Sequence, residues 1–352
     1  SYLDKLDSGD VGFIIASIKT LDAAPVGDTI TDSKASNPKP LPGFQHIQPR
    51  VFSGFYPIDA KNYQESKKAL DKLSLNDNSF TYEPENSDSL GHGFRCGFLG
   101  LLHMEIIRER LSREHSLDFL MTVPSVTYKV EIKSGDIIEV KSPKDLPDDN
   151  KIKRFLEPIA QINIITPSEY LGPIIELCVK KRGSQSNLQY RTNSVEISFK
   201  IPLSEIIYDF FDKLKSCTRG YASYDYTIID YIESQMIKLD ILVNKKKVDA
   251  LSQILHKGNS DKRARELIEN LKGLIPRQMF EISIQGCVGS KVLASTSVRG
   301  FRKDVTAKLY GGDVTRKMKL LKKQKEGKKK MKKIGNVDIP KEAFYEFMMP
   351  KK

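Results

Sequence analysis

Eleven basic side chains are packed between Arg316 and Lys333: Arg316, Lys317, Lys319, Lys322, Lys323, Lys325, Lys328, Lys329, Lys330, Lys332 and Lys333. Only Met318, Leu320, Leu321 and Met331 give that stretch apolar surface. Cations at this density repel one another and resist burial, so the chemistry they offer is neutralisation of a polyanion. Each phosphate neutralised releases counterions and makes such binding salt-dependent. Gly327 disfavours a helix by about 1 kcal/mol relative to alanine, so the segment is expected to order only against phosphates. Three other readings compete: a solvated lysine-rich tail, a membrane-surface helix with a poor apolar face, and a nuclear localisation run. Nucleic acid fits the charge best, and composition does not separate RNA from DNA.

The charge is local. Of the formal net charge of +12 on 352 residues, the stretch from Arg302 to Lys333 carries +11, from 14 basic and 3 acidic residues, leaving +1 for the remainder. A near-neutral body therefore bears one basic appendage. The length suggests two or three domains at roughly 100–200 residues each. The 39% apolar content is enough for buried cores. No run of ~18 apolar residues predicts a membrane-spanning helix. Cys96, Cys178, Cys217 and Cys287 are scattered, without a CxxC pair. That argues against a zinc site and a disulfide framework, and suits a reducing compartment. The chain opens at Ser1 in sequence that already reads as folded, so it is expected to be part of a longer protein.

Enzymatic signals are weak. No G-x-x-x-x-G-K-[ST] is present to cradle nucleotide phosphates. Gly91, Gly93, Gly97 and Gly100 do not have GxGxxG spacing and read as a tight turn with close backbone packing. His92, Cys96 and His103 are near in sequence but match no common zinc spacing. His103 reads as a satisfied structural residue, and Glu105, Glu109 and Glu114 as a solvated helix face.

The elements that must position the basic tract read as α+β and multidomain. Residues 1–31 suggest short strands, among them Val11–Ile18, and the proline-rich 32–43 a linker. From Val51 the order is strand, helix (from Tyr63, with Leu70 and Leu73 inside), strand, glycine-rich turn and helix, the last with Leu102, Ile106 and Leu111 toward a core. A strand over Asp118–Ile132 closes the unit. This is the split βαβ, or ferredoxin-like, order. Residues 134–150 are polar. The same order then recurs: a strand, a helix ended by Gly183, a hairpin, and a helix capped by Ser204 with Ile207, Phe210, Phe211 and Leu214 inside. A last strand ends near Ser234. Residues 246–274 look helical and charged, Met279–Ala294 suggests a strand and a glycine turn, and Val337–Met348 a short apolar element.

The segments FRCGFLGLLHMEIIRERL, LKSCTRGYASYDY, LIPRQMFEISIQ and YGGDVTRKMKLLKKQKEGKKKMKKIGNVDIPKEAF resemble the elongation factor 4 (LepA) family of ribosome-associated translational GTPases, and the resemblance extends over essentially the whole chain. It implies a domain order. Residues 1–36 would be the end of the β-barrel domain II, with Gly27–Ile30 as its GDTI signature, and 37–48 a linker. Residues 49–132 would be the ferredoxin-like domain III, 133–152 a connector, and 153–235 the elongation factor G-like domain V. Residues 236–352 would be the family-specific C-terminal domain with its RNA-binding tract at 302–333. It implies contacts to ribosomal RNA and tRNA from Lys308, Arg316, Lys317, Lys319, Lys322, Lys323, Lys325, Lys328, Lys329 and Lys330, with Gly311 and Gly312 shaping the loop before them. No catalytic or metal-binding residue is implied. The family's GTP-binding domain, with its GTP and magnesium, has no counterpart in this sequence, so no cofactor is expected here.

The role implied is remodelling of stalled or mistranslocated ribosomes by a cytoplasmic, ribosome-associated monomer. The resemblance also implies peripheral contact with an anionic membrane on the inner face of the cell membrane, or a matrix location in an organelle. A free-standing RNA-binding or ribosome-assembly protein without GTPase activity is the alternative. Two departures from the family pattern stand out. Ala294–Ser297 replaces a usual ARET, and Leu309 a usual cysteine.

Overall fold

The computed structural model describes residues 5–13, 15, 27–34, 39, 41, 48–192, 194–301, 305, 306, 314–334, 339 and 344, with backbone alone for 328–334. Three α+β units carry the chain.

The first unit runs β1 (Val51–Pro57), α1 (Tyr63–Asn76), β2 (Thr81–Ser87), β3 (Gly91–Phe98), α2 (Leu101–His115) and β4 (Phe119–Met121). Its antiparallel sheet has the order β2-β3-β1-β4, the split βαβ topology. Leu70 and Leu73 of α1 are buried as the spacing predicts. On α2 the inward stripe is Met104, Ile107 and Leu111, whereas Leu102 and Ile106 are 71% and 47% exposed. Residues at i, i+3 and i+7 share one face; Leu102 and Ile106 form the neighbouring one. Gly93 lies under Tyr56, and a Cβ there would also meet the Phe55 carbonyl at 2.6 Å.

The strand expected over Asp118–Ile132 is two strands in different sheets. Pro124 interrupts it, Ser125 bridges back to Phe52, and Tyr128–Ile132 becomes β5 of the second unit. There β5 forms a hairpin with β6 (Ile137–Val140), within the stretch read as polar. The 15-residue β7 (Ile152–Thr166) is the spine. It is followed by α3 (Leu171–Lys180), β8 (Ser184–Tyr190), β9 (Val195–Pro202), α4 (Leu203–Ile207), α5 (Phe210–Cys217) and β10 (Ser223–Ser234). One edge of β7 pairs with β5 and then β9; the other pairs with β10. The sheet order β8-β9-β7-β10 repeats the first topology.

Two local expectations fail here. The helix expected from Ser204 is broken at Tyr208–Asp209. It starts after Pro202 without a side-chain cap, and it buries Ile206, Phe210 and Leu214 while Phe211 is 52% exposed. After α3 the left-handed residue is Arg182 (φ 59°), not Gly183. Gly183 is needed for space: a Cβ would meet the Cys178 carbonyl at 2.7 Å.

The third unit is an antiparallel sheet of order β12-β11-β13-β14, built from β11 (Met236–Val243), β12 (Lys246–His256), β13 (Ile282–Val288) and β14 (Lys291–Val298). The helix α6 (Ser260–Leu274) covers it through Ala264, Leu267, Ile268 and Leu271. Residues 246–256, expected to be helical, are thus a strand, because pairing with β11 overrides their propensity. Ala294–Ser297 falls within β14. Leu90 and Val123 of the first unit and Tyr208 of the second join this core. Of the N-terminal strands expected, residues 14 and 16–26 lie outside the described residues. Val11, Phe13 and Ile15 are exposed and form no strand.

Candidate nucleic-acid interface

The basic tract forms α7 (Val314–Ile334), a 21-residue helix. At 1.5 Å per residue it is about 32 Å long. The expectation that it orders only against phosphate is therefore corrected. Lysine, leucine, methionine, glutamine and glutamate are good helix formers, and together they outweigh the single Gly327. Its charges still work against it. Lys319–Lys323 is a like-charged i,i+4 pair, unfavourable by about 0.2–0.5 kcal/mol. Glu326 is its single carboxylate.

Arg316, Lys317, Lys319, Lys322, Lys323 and Lys325 are exposed on α7, as are Val314 and Met318, while Leu320 and Leu321 are half-buried. None of the described apolar side chains of α7 joins one of the three cores. Lys328, Lys329 and Lys330 continue the helix. Lys308, Gly311, Gly312 and Leu309 lie outside the described residues. A helix whose cations project on several sides can follow a phosphate backbone, and nothing in its side-chain set reads a base edge in particular.

The three units are joined by ties that sequence reasoning missed. Asp249 on β12 accepts from Ser87 Oγ and the Asp88 amide at 2.9 Å each, from the Ser89 amide at 3.2 Å, and from Ser89 Oγ. One carboxylate thus holds the β2–β3 turn of the first unit to the third. Burial alone would push the Asp249 carboxyl up; the hydrogen bonds from Ser89, Ser87, Asp88 and Ala250 outweigh that and hold it below the usual aspartate value. In the second unit Arg182 forms a fork with Glu157 at 2.8 and 3.0 Å and reaches Glu205 at 3.0 Å. Asn259, just before α6, donates to the same Glu205 at 3.2 Å. Such networks join residues more than 20 positions apart and leave no local motif to find.

A second group combines the exposed Tyr221 and Phe211 and the half-buried Tyr170 with cations. Tyr170 stacks on Tyr221 at 6.0 Å beside the turn of Arg219 (φ 52°) and Gly220, and Lys215 lies 5.7 Å from the Phe211 ring centroid. Faces of this kind can stack unpaired bases.

His92, Cys96 and His103 do not assemble into a site. Cys96 is fully buried in the first core, and that burial pushes its thiol well up. His103 is tied on both sides: Nδ1 accepts from the Leu99 amide at 3.1 Å, and Nε2 lies 2.8 Å from Asp77. His92 is exposed against the edge of Tyr63. Glu109 and Glu114 pair with Arg113 and Arg110 on the solvated face of α2. The four cysteines are free thiols. Among the described residues no group of three or more His, Cys, Asp or Glu is placed to hold a metal. Also among the described residues, no helix is long and apolar enough to cross a membrane.

Comparison with known families gives two matches, one mostly over the second unit and one mostly over the third, with the boundary between them inside β11. Residues 154–242 match the elongation factor G C-terminus, and residues 243–349 match the C-terminus of the GTP-binding protein LepA. Among solved structures, the crystal structure of ttk003000868 from Thermus thermophilus aligns at 16% identity with a TM-score of 0.38. The alignment covers 57% of this chain and 43% of that one.

Proposed function

The chain belongs to the translational GTPases of the LepA and elongation factor G type and carries their C-terminal region, and from that premise we propose that it is the part of such a factor that grips the ribosome and tRNA. The observation that carries this reading is α7: a helix about 32 Å long with eleven cations and one carboxylate, outside every described core. Arg316, Lys317, Lys319, Lys322, Lys323, Lys325 and Lys328–Lys330 are its phosphate contacts, with Lys308, Gly311 and Gly312, which precede it in sequence, proposed beside them. The Tyr170–Tyr221 stack and Arg219 offer unpaired bases a second foothold on the elongation factor G-like unit.

The hydrogen bonds among the three units support a mechanism in which the body docks as one piece. Docking of the body fixes where α7 points, and α7 then registers which RNA lies in reach. In the whole protein, GTP and magnesium would bind in the GTP-binding domain, and hydrolysis there would supply the direction. The outcome would be remodelling of stalled or mistranslocated ribosomes, as in back-translocation, by a cytoplasmic, ribosome-associated monomer. The test is co-sedimentation with ribosomes across a salt series. With about six of these cations on phosphate at one time, the slope of log affinity against log salt is roughly −4 to −5. Binding indifferent to salt would overturn the reading.

A further inference from the structure

One competing reading makes the basic segment a solvated tail, yet both ends of the segment that carries α7 are fastened to the third unit. On the near side, the Phe301 amide donates to the Gln278 carbonyl at 2.7 Å, and Gly300 lies so close to the Phe280 backbone that a Cβ would sit 2.6 Å from its carbonyl carbon. Phe280 belongs to the third core. On the far side, Phe344 is 5% exposed within that same core, and Ile339 packs against it. Between the two attachments runs α7, whose described apolar side chains stay outside the cores. A polybasic segment gains nothing electrostatically from returning to a near-neutral body. The return is made by an aromatic side chain, whose burial is the usual way to fix a chain end.

We infer that Phe344 is a positioning residue that closes the basic segment into an anchored arm, presenting α7 to RNA from two fixed roots. The inference rests on the reading of α7 as the RNA-binding element. An arm closed at both ends has fewer conformations to lose on binding than a tail, so its phosphate contacts form at lower entropic cost. It also keeps the cations at high effective concentration near RNA that the body has already reached. Phe344 touches no phosphate. Its removal should therefore weaken binding without changing how many phosphates are neutralised.

The experiment compares three forms of the full chain on purified ribosomes across a salt series. They are the unaltered chain, Phe344→Ala, and a chain with twelve Gly/Ser residues inserted between Gly335 and Asn336. The insertion leaves Phe344 in the core and only slackens the arm. Both variants should lose affinity about 3- to 10-fold, the scale set by effective-concentration arithmetic, with salt slopes parallel to that of the unaltered chain. Equal affinity for all three forms would overturn the anchor. So would a loss with Phe344→Ala and none with the insertion, which would mark the alanine effect as damage to the core. A change of slope with Phe344→Ala alone would make Phe344 part of the contact surface, and a change with the insertion would mean that the anchor sets how many phosphates are met; either would overturn the positioning role. If the unaltered chain itself binds without salt dependence, the reading of α7 fails, and the inference with it.

Discussion

Replacing Asp249 tests how the first unit is held to the third. Its carboxylate accepts from three residues of the β2–β3 turn, with Ser87 Oγ and the Asp88 amide at 2.9 Å and the Ser89 amide at 3.2 Å. A hydrogen bond to a charged group contributes about 1.5–3 kcal/mol, but these do not simply add. Asp88 and Ser89 are exposed and water can replace the lost acceptor, whereas Ser87 is 5% exposed: its Oγ still accepts from the Leu90 amide at 3.1 Å and the Ser89 amide at 3.3 Å, but of its partners only Ser89 Oγ, at 3.2 Å, could then take its proton. Asp249→Ala should therefore cost about 2–3 kcal/mol, and Asp249→Asn, which keeps one acceptor oxygen, about half of that. Urea unfolding gives the magnitude, and hydrogen exchange at the Asp88 and Ser89 amides gives the location. The pH dependence has a definite sign. The native carboxyl lies below its ordinary value, so its stabilisation is complete above about pH 4 and is lost as pH falls through the depressed native value. The difference between native chain and Asn variant should thus shrink under acid. Unchanged amide protection in the alanine variant, or a difference that grows on acidification, would refute the argument.

Other outcomes follow from the same geometry. Arg182→Met strands Glu157, which is 2% exposed. It should cost about 3–5 kcal/mol in urea unfolding, and a neutral result would mean that the pair is not desolvated. Leu111→Ala should cost about 2–5 kcal/mol, whereas Leu102→Ala, on the exposed face of α2, should stay within about 0.5 kcal/mol; equal costs would contradict the assigned helix face. Of the four thiols, Cys217 should be alkylated first in the native state, and Cys96, whose thiol is buried and raised, only on unfolding. Early modification of Cys96 would show that the first core opens readily.

Where local pattern and tertiary structure agree, the sequence was legible. The two βαββαβ orders follow from strand and helix periodicities that the packing merely completes. The failures lie where one residue answers to two neighbours. The strand β12 buries Val248, Ala250, Leu251, Ser252 and Gln253. It is covered on both faces, so the two-residue alternation that marks a strand vanishes. Tyr128–Ile132 looks continuous with β4 because Pro124 is the one strand-breaking residue type in the six residues between them, and long-range pairing assigns it to β7. On α2, Leu102 and Ile106 have the spacing of a core stripe, yet the adjacent Met104–Ile107–Leu111 stripe faces the sheet. The cations of α7 could be found from composition alone, because charge cannot hide. Its anchor could not: Val337–Met348 reads as a short apolar element, but nothing in its pattern says that Phe344 in particular enters the third core.

The most direct test of the account is ribosome co-sedimentation across a salt series, comparing the full chain with a variant in which Lys319, Lys322, Lys323 and Lys325 are glutamine. Glutamine keeps the helix propensity of these positions, so the comparison isolates charge. Removing four phosphate contacts should flatten the slope by roughly 3 to 4 units, with affinity at low salt falling most. Parallel slopes for the two proteins would place ribosome recognition elsewhere on the chain and contradict the role given to α7.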